Sequence, residues 1–121
     1  MSHTILAVDD SRTIRQLVEA CLKGAGFNVV TAEDGQDGLA KLEGCQPDVI
    51  ITDINMPNLD GYGFISAVRG GSNSAAAPIL VLTTESSQEK KVRARDAGAT
   101  GWIVKPFSPD KLLAAINRVL A

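Results

Sequence analysis

The stretch "ITDINMPNLDG", Ile51 to Gly61, decides how the chain is read. A β-branched apolar run, "DVIIT" (48–52), enters it and stops at an aspartate, Asp53. A Met-Pro turn follows, and then a second turn at Asp60 and Gly61. An apolar run without alternation is the pattern of a strand covered on both faces. A carboxylate at the end of such a strand is costly to desolvate unless a cation or donor groups compensate it. The rest of the chain must provide that compensation.

Four more runs read as strands: "TILAV" (4–8), "NVVTA" (28–32), "PILVLT" (78–83) and "GWIVK" (101–105). Helical periodicity fills the intervals. Helix one opens on the N-cap Ser11, repeats Ile14, Leu17, Val18, Cys21, Leu22 and Ala25 on one face, and closes at Gly24 and Gly26. A short helix two starts near Asp34 with Leu39 and Leu42 inward, and helix three starts near Asp60 with Phe64, Ile65 and Val68. Helix four follows Ser86 and Ser87 with Val92 as its apolar anchor. Helix five has Ser108 as N-cap, Pro109 at its first position, and a stripe of Leu112, Leu113, Ile116, Val119 and Leu120. "RGGSNSAAAP" (69–78) reads as a flexible loop.

Five strands alternating with five helices, joined by right-handed crossovers, predict a flavodoxin-like α/β fold. It is a doubly wound parallel sheet of order 2-1-3-4-5, formed by one domain over residues 1–121. At 21% charged residues and a net charge of -2, the chain does not read as a nucleic-acid binder. With no long apolar segment and no secretory leader, it is expected to be cytoplasmic, unattached to membrane and monomeric. Cys21 and Cys45 form no metal-ligand pattern and are expected to be free thiols, Cys21 in the core. His3 is expected to be exposed.

Sites in doubly wound sheets lie beyond the carboxyl ends of the strands. Asp9 and Asp10 end the first strand, Asp53 the third, Thr83 the fourth and Lys105 the fifth. Two carboxylates about 4 Å apart repel by roughly 4 kcal/mol at an effective dielectric of about 20. Three need more than the one charge of Lys105. An oxygen-binding divalent cation, Mg²⁺, is the natural remainder. A carboxylate beside Mg²⁺ and a lysine suits nucleophilic attack on a phosphoryl group, with Asp53 on the central strand as nucleophile. Thr83 could then bond a transferred oxygen.

Together, "VDDS" (8–11), "PDVIITDINMPNLDG" (47–61), "LTTE" (82–85) and "DAGATGWIVKPF" (96–107) resemble the receiver domain of bacterial two-component response regulators. The resemblance spans the whole chain and is greatest to single-domain chemotaxis regulators. It implies Asp53 as phosphoacceptor, and Asp10, Asp53 and the carbonyl of Asn55 as Mg²⁺ ligands, with Asp9 acting through water. It implies catalytic roles for Thr83 and Lys105 beside Asp53, and a cis bond between Lys105 and Pro106. It also implies a switch pairing Thr83 with the aromatic at Trp102, where relatives commonly carry tyrosine or phenylalanine. Asn55 and Glu85 hold the two positions that tune phosphoryl lifetime, and their identity implies fast self-dephosphorylation.

The implied partners are a histidine kinase as phosphodonor, the flagellar motor switch protein as target, and a phosphatase. The docking face would combine helix four (Lys90, Lys91, Arg93, Arg95), strand five and helix five. Such a protein catalyses only its own phosphorylation and dephosphorylation. The alternative is a phosphate sink or phosphorelay intermediate without a motor target, which the same residues would serve. A metal-dependent phosphatase would want an acid where Asn55 stands. A flavin binder would want a neutral phosphate loop where Asp9 and Asp10 stand.

Overall fold

A computed structural model of the chain describes residues 3–71 and 76–121. Its elements run β1 (Thr4–Val8), α1 (Arg12–Gly24), β2 (Asn28–Ala32), α2 (Gly35–Glu43), β3 (Val49–Thr52), α3 (Gly61–Gly70), β4 (Ile79–Thr83), α4 (Gln88–Ala97), β5 (Gly101–Val104) and α5 (Pro109–Leu120). All strand pairs are parallel, and the order is β2-β1-β3-β4-β5. Asp48, Pro78 and Lys105, read as strand residues from the sequence, each lie one residue outside the observed strands.

Side chains alternate across each strand, so the sheet builds two cores. Ile5, Ala7, Ile51, Leu80 and Leu82 face α1 and α5, packing on Val18, Leu22, Leu112 and Ile116. Leu6, Val8, Ile50 and Val81 face the other way, onto Leu42, Phe64, Ile65, Val68 and Ala94 of α2, α3 and α4. Every residue of β3 and β4 is buried, which explains their unbroken apolar runs. Side chains of Ser11, Asp34, Asp60, Ser87 and Ser108 each cap a helix by accepting a backbone N–H.

Some expectations are corrected. Leu17 is 54% exposed rather than part of the α1 core stripe. Ala25 is exposed as well, and Cys21 is only half-buried at the core edge. On α1 only Val18 and Leu22 are buried, with Ile14 and Cys21 packed at the edge of the core. On α4 the fully buried anchor is Ala94, with Val92 half-buried, because a small side chain lets the helix lie close to its neighbours. Arg69 and Gly70 belong to α3 rather than to the loop expected at 69–78, whose residues 72–75 lie outside those described.

Candidate functional site

The backbone ladder runs one residue past the strands and fixes the rim. Asp9 N–H donates to Ala32 O at 3.1 Å, Asp53 N–H to Val8 O at 3.0 Å, and Lys105 N–H to Thr83 O at 2.7 Å. Asp9, Asp53 and Lys105 are thereby held at one edge of the sheet. The peptide bond between Lys105 and Pro106 is cis, as the resemblance implied.

Lys105 Nζ donates to Asp9 Oδ2 at 2.8 Å and to Asp53 Oδ2 at 2.9 Å. Each remaining carboxylate oxygen accepts a backbone N–H: Asp9 Oδ1 from Ser11 at 2.9 Å, Asp53 Oδ1 from Ile54 at 2.6 Å. Asp9 and Asp53 are buried and Asp10 is exposed, yet ligand oxygens of all three lie within 4.8 Å of one another. Burial pushes the Asp9 carboxyl up, against the opposing pull of Lys105. Burial also pulls on Lys105, but bonds from two carboxylates outweigh it and raise its pKa. Burial thus works against the charged form of both groups, and the mutual bonds oppose it. All three acids offer only hard oxygen donors, with no nitrogen or sulfur, so the cluster fits Mg²⁺.

Thr83 is fully buried, and its hydroxyl accepts from Glu85 N–H at 3.4 Å. Asn55 is exposed; its side-chain amide donates to Glu85 Oε1 at 3.4 Å. Trp102 is half-buried on the edge strand, and its indole N–H donates to Glu85 O at 3.0 Å. Glu85 also accepts from Lys90 Nζ at 3.0 Å. The bonds from Lys90 and Asn55 lower its pKa. Glu85 is thus the junction of the acidic loop, the buried hydroxyl, the aromatic and the first turn of α4, a role that only the tertiary contacts reveal.

The basic run on α4 is partly engaged. Lys90 is held by Glu85, and Arg93 lies 4.0 Å over the Tyr62 ring. Lys91 and Arg95 flank Trp102 in a cleft of about 140 Å³. Beyond Trp102 a cleft of about 400 Å³ carries Phe107, Lys111 and Arg118. Two arginine contacts were not legible in the sequence, one beside the site and one at the opposite edge of the sheet. Arg15 Nη1 donates to Asp9 O at 2.7 Å. Arg69 Nη1 donates to Ala77 O at 2.6 Å and Nη2 to Gly98 O at 2.8 Å, tying α3 to the end of α4.

The family model described as "response regulator receiver domain" matches residues 5–117. The chain belongs to this family. The receiver is CheY-like. It is 51% identical to the chemotaxis response regulator CheY4 of Vibrio cholerae, covering 99% of this chain and 100% of that one with a TM-score of 0.95. It is 38% identical to protein PilG of Pseudomonas aeruginosa over 113 residues, which is 93% of this chain and 84% of PilG. It spans only 44% of the transcriptional regulator ycf27 of Guillardia theta, at 41% identity. The receiver domain of sensor histidine kinase PA1611 from Pseudomonas aeruginosa, 28% identical with a TM-score of 0.91 over 99% of this chain and 98% of that one, has a magnesium ion coordinated in its active-site cleft. Among the described residues no helix is long and apolar enough to cross a membrane.

Proposed function

We propose that this receiver is a phosphorylation-controlled chemotaxis switch in which Asp53 takes a phosphoryl group from the phosphohistidine of a kinase. The observation that carries the reading is Lys105 Nζ lying between Asp9 and Asp53, with three carboxylates converging beside it. A carboxylate oxygen of Asp53 attacks phosphorus, the new O–P bond replaces the N–P bond, and the imidazole nitrogen leaves. Asp10, Asp53 and the Asn55 carbonyl would hold Mg²⁺, with Asp9 acting through water. Bound Mg²⁺ supplies positive charge that offsets charge on the transferred oxygens.

Lys105 moves one of its bonds from the free carboxylate to a phosphoryl oxygen and so neutralises incoming charge. The Thr83 hydroxyl turns to donate to another oxygen. Its present bond from Glu85 N–H is long, 3.4 Å, and easily given up. Glu85 then shifts, and with it the carbonyl that holds Trp102 and the carboxylate that holds α4 through Lys90. Moving a switch from mostly off to mostly on takes about 5.5 kcal/mol of differential stabilisation, within reach of several charge-assisted bonds.

The face built by α4, β5 and α5, with clefts on both sides of Trp102 and cations at their rims, suits an acidic partner. We assign that role to a flagellar motor switch protein, and similarity to the chemotaxis protein CheY4 supports the chemotaxis setting. The chain acts on itself and turns over no separate substrate. Asn55 and Glu85 set a fast reset, and a phospho-form that persisted for hours with Mg²⁺ would contradict it. The test is Trp102 fluorescence on adding Mg²⁺ and then beryllofluoride, in wild type and Asp53→Asn. A response in wild type that vanishes in the variant is expected. No response in wild type, or an unaltered one in the variant, would refute the switch. Capture of motor switch protein by the activated form separates an output switch from a phosphate sink.

A further inference from the structure

The loop after Asp53, residues 54–60, is held at two places outside the acidic cluster. At its far end Asn58 Nδ2 donates to Asp34 Oδ2 at 2.7 Å. Asp34 is 7% exposed and caps α2 through its other oxygen, which accepts Asp37 N–H at 2.8 Å. Asn58 has φ of 69°, the one positive-φ residue other than glycine among those described. Asparagine tolerates this left-handed conformation better than most residues, but it needs a reason to stay there. The bond to Asp34 is that reason. Beside it Gly35 N–H donates to Leu59 O at 3.2 Å, and a Cβ on Gly35 would come within 2.5 Å of that oxygen. The start of α2 and the loop are therefore in backbone contact. At the near end Gly61 N–H donates to Ile54 O at 2.8 Å, while Ile54 N–H holds Asp53 Oδ1 at 2.6 Å.

We propose that Asp34 and Asn58 form a strut that sets the shape of the 54–60 loop and thereby the Mg²⁺ affinity of the carboxylate site. The inference rests on reading that site as Mg²⁺-binding. The strut touches none of the three clustered acids. It acts through the backbone, from Asn58 back to Ile54, whose N–H orients the Asp53 carboxylate, and to Asn55, whose carbonyl is the proposed ligand. Asp34 and Asn58 are positioning residues. Partners of this kind, one step removed from metal ligands, typically change affinity by about 10- to 100-fold when removed.

Three variants of the full chain test it, read by Mg²⁺ titration calorimetry at a temperature where circular dichroism shows each one folded. Asn58→Gly admits the left-handed backbone without strain and removes the side-chain bond that holds it. Asn58→Asp sets two carboxylates against each other. The exchange of both, Asp34→Asn with Asn58→Asp, restores an amide-to-carboxylate bond with donor and acceptor reversed. Each single variant is expected to weaken Mg²⁺ binding by roughly tenfold, and the exchange to restore it. If Asn58→Asp does not fold, Asn58→Gly carries the test. Single variants that bind like wild type would overturn the strut, as would an exchange that binds as weakly as Asn58→Asp. Wild type that takes up no Mg²⁺ would instead overturn the functional reading and the strut with it.

Discussion

Replacing Lys105 by methionine keeps the length of the side chain and removes its charge. The side chains of Lys105, Asp9 and Asp53 are only 10%, 7% and 11% exposed, and the lysine sits 2.8 and 2.9 Å from the two acids. Removing one partner of a buried pair destabilises by about 3–5 kcal/mol, because an uncompensated charge stays behind. Here two carboxylates stay behind, though backbone N–H groups from Ser11 and Ile54 still serve them. We expect about 3 kcal/mol, on the order of 10 °C in unfolding midpoint for a domain of this size. The loss depends on pH with a definite sign. Burial already raises the Asp9 pKa against the pull of Lys105, and losing the lysine raises it further. A raised folded-state pKa gives stability that is present below the ordinary carboxylate range and lost as pH rises through the folded value. The gap between wild type and Lys105→Met should therefore be small near about pH 4 and full at neutrality. Mg²⁺ should narrow it by supplying the missing charge. Urea unfolding across pH, with EDTA and with saturating Mg²⁺, measures all three. A deficit under about 1 kcal/mol at neutral pH, or one unchanged by pH, would refute the reasoning.

Gly61→Ala would push a methyl into Asp53 O and Ile54 Cα, backbone atoms that cannot step aside. A stability loss of about 1–3 kcal/mol in urea is expected together with weaker Mg²⁺ binding, and unchanged values would show the loop to be compliant. Trp102→Phe removes the donor to Glu85 O, so thermal unfolding should show a loss of about 1 kcal/mol plus the smaller ring's lost contacts. Charge reversal at Lys91 and Arg95 should slow association with an acidic partner and flatten its salt dependence, read by surface plasmon resonance; unchanged rates would leave these cations as solvated surface. At acid pH the bonds that lower the Asp34 pKa, chiefly from Asp37 N–H and then from Asn58, are lost as pH falls through its folded value. Asp34→Asn should make the stability profile below about pH 4 flatter, measured by urea midpoints.

The fold was legible because five apolar strand runs alternate with five helical periods, and polar residues close four of the five strands. Asp9, Asp53, Thr83 and Lys105 mark one edge of a parallel sheet, and the helix caps mark the intervals. What periodicity could not give was the width of each apolar stripe. Leu17 keeps helical step with Val18 and Leu22 but falls outside the contact with the sheet, and Ala94 outranks Val92 because close approach favours a small side chain. The site's members were legible as residue types at strand ends. Their wiring was not. Glu85 gathers Asn55, Lys90 and Trp102, and Asp34 reaches Asn58 across 24 residues; neither bond follows from local pattern.

Phosphoryl transfer in this receiver is proposed to end on Asp53. Intact and peptide mass spectrometry after incubation with a small phosphodonor and Mg²⁺ addresses it directly. One phosphoryl adduct is expected, located on the peptide containing Asp53, absent without Mg²⁺ and absent in Asp53→Asn. An adduct that persists in the variant, or that maps to another residue in wild type, would contradict it.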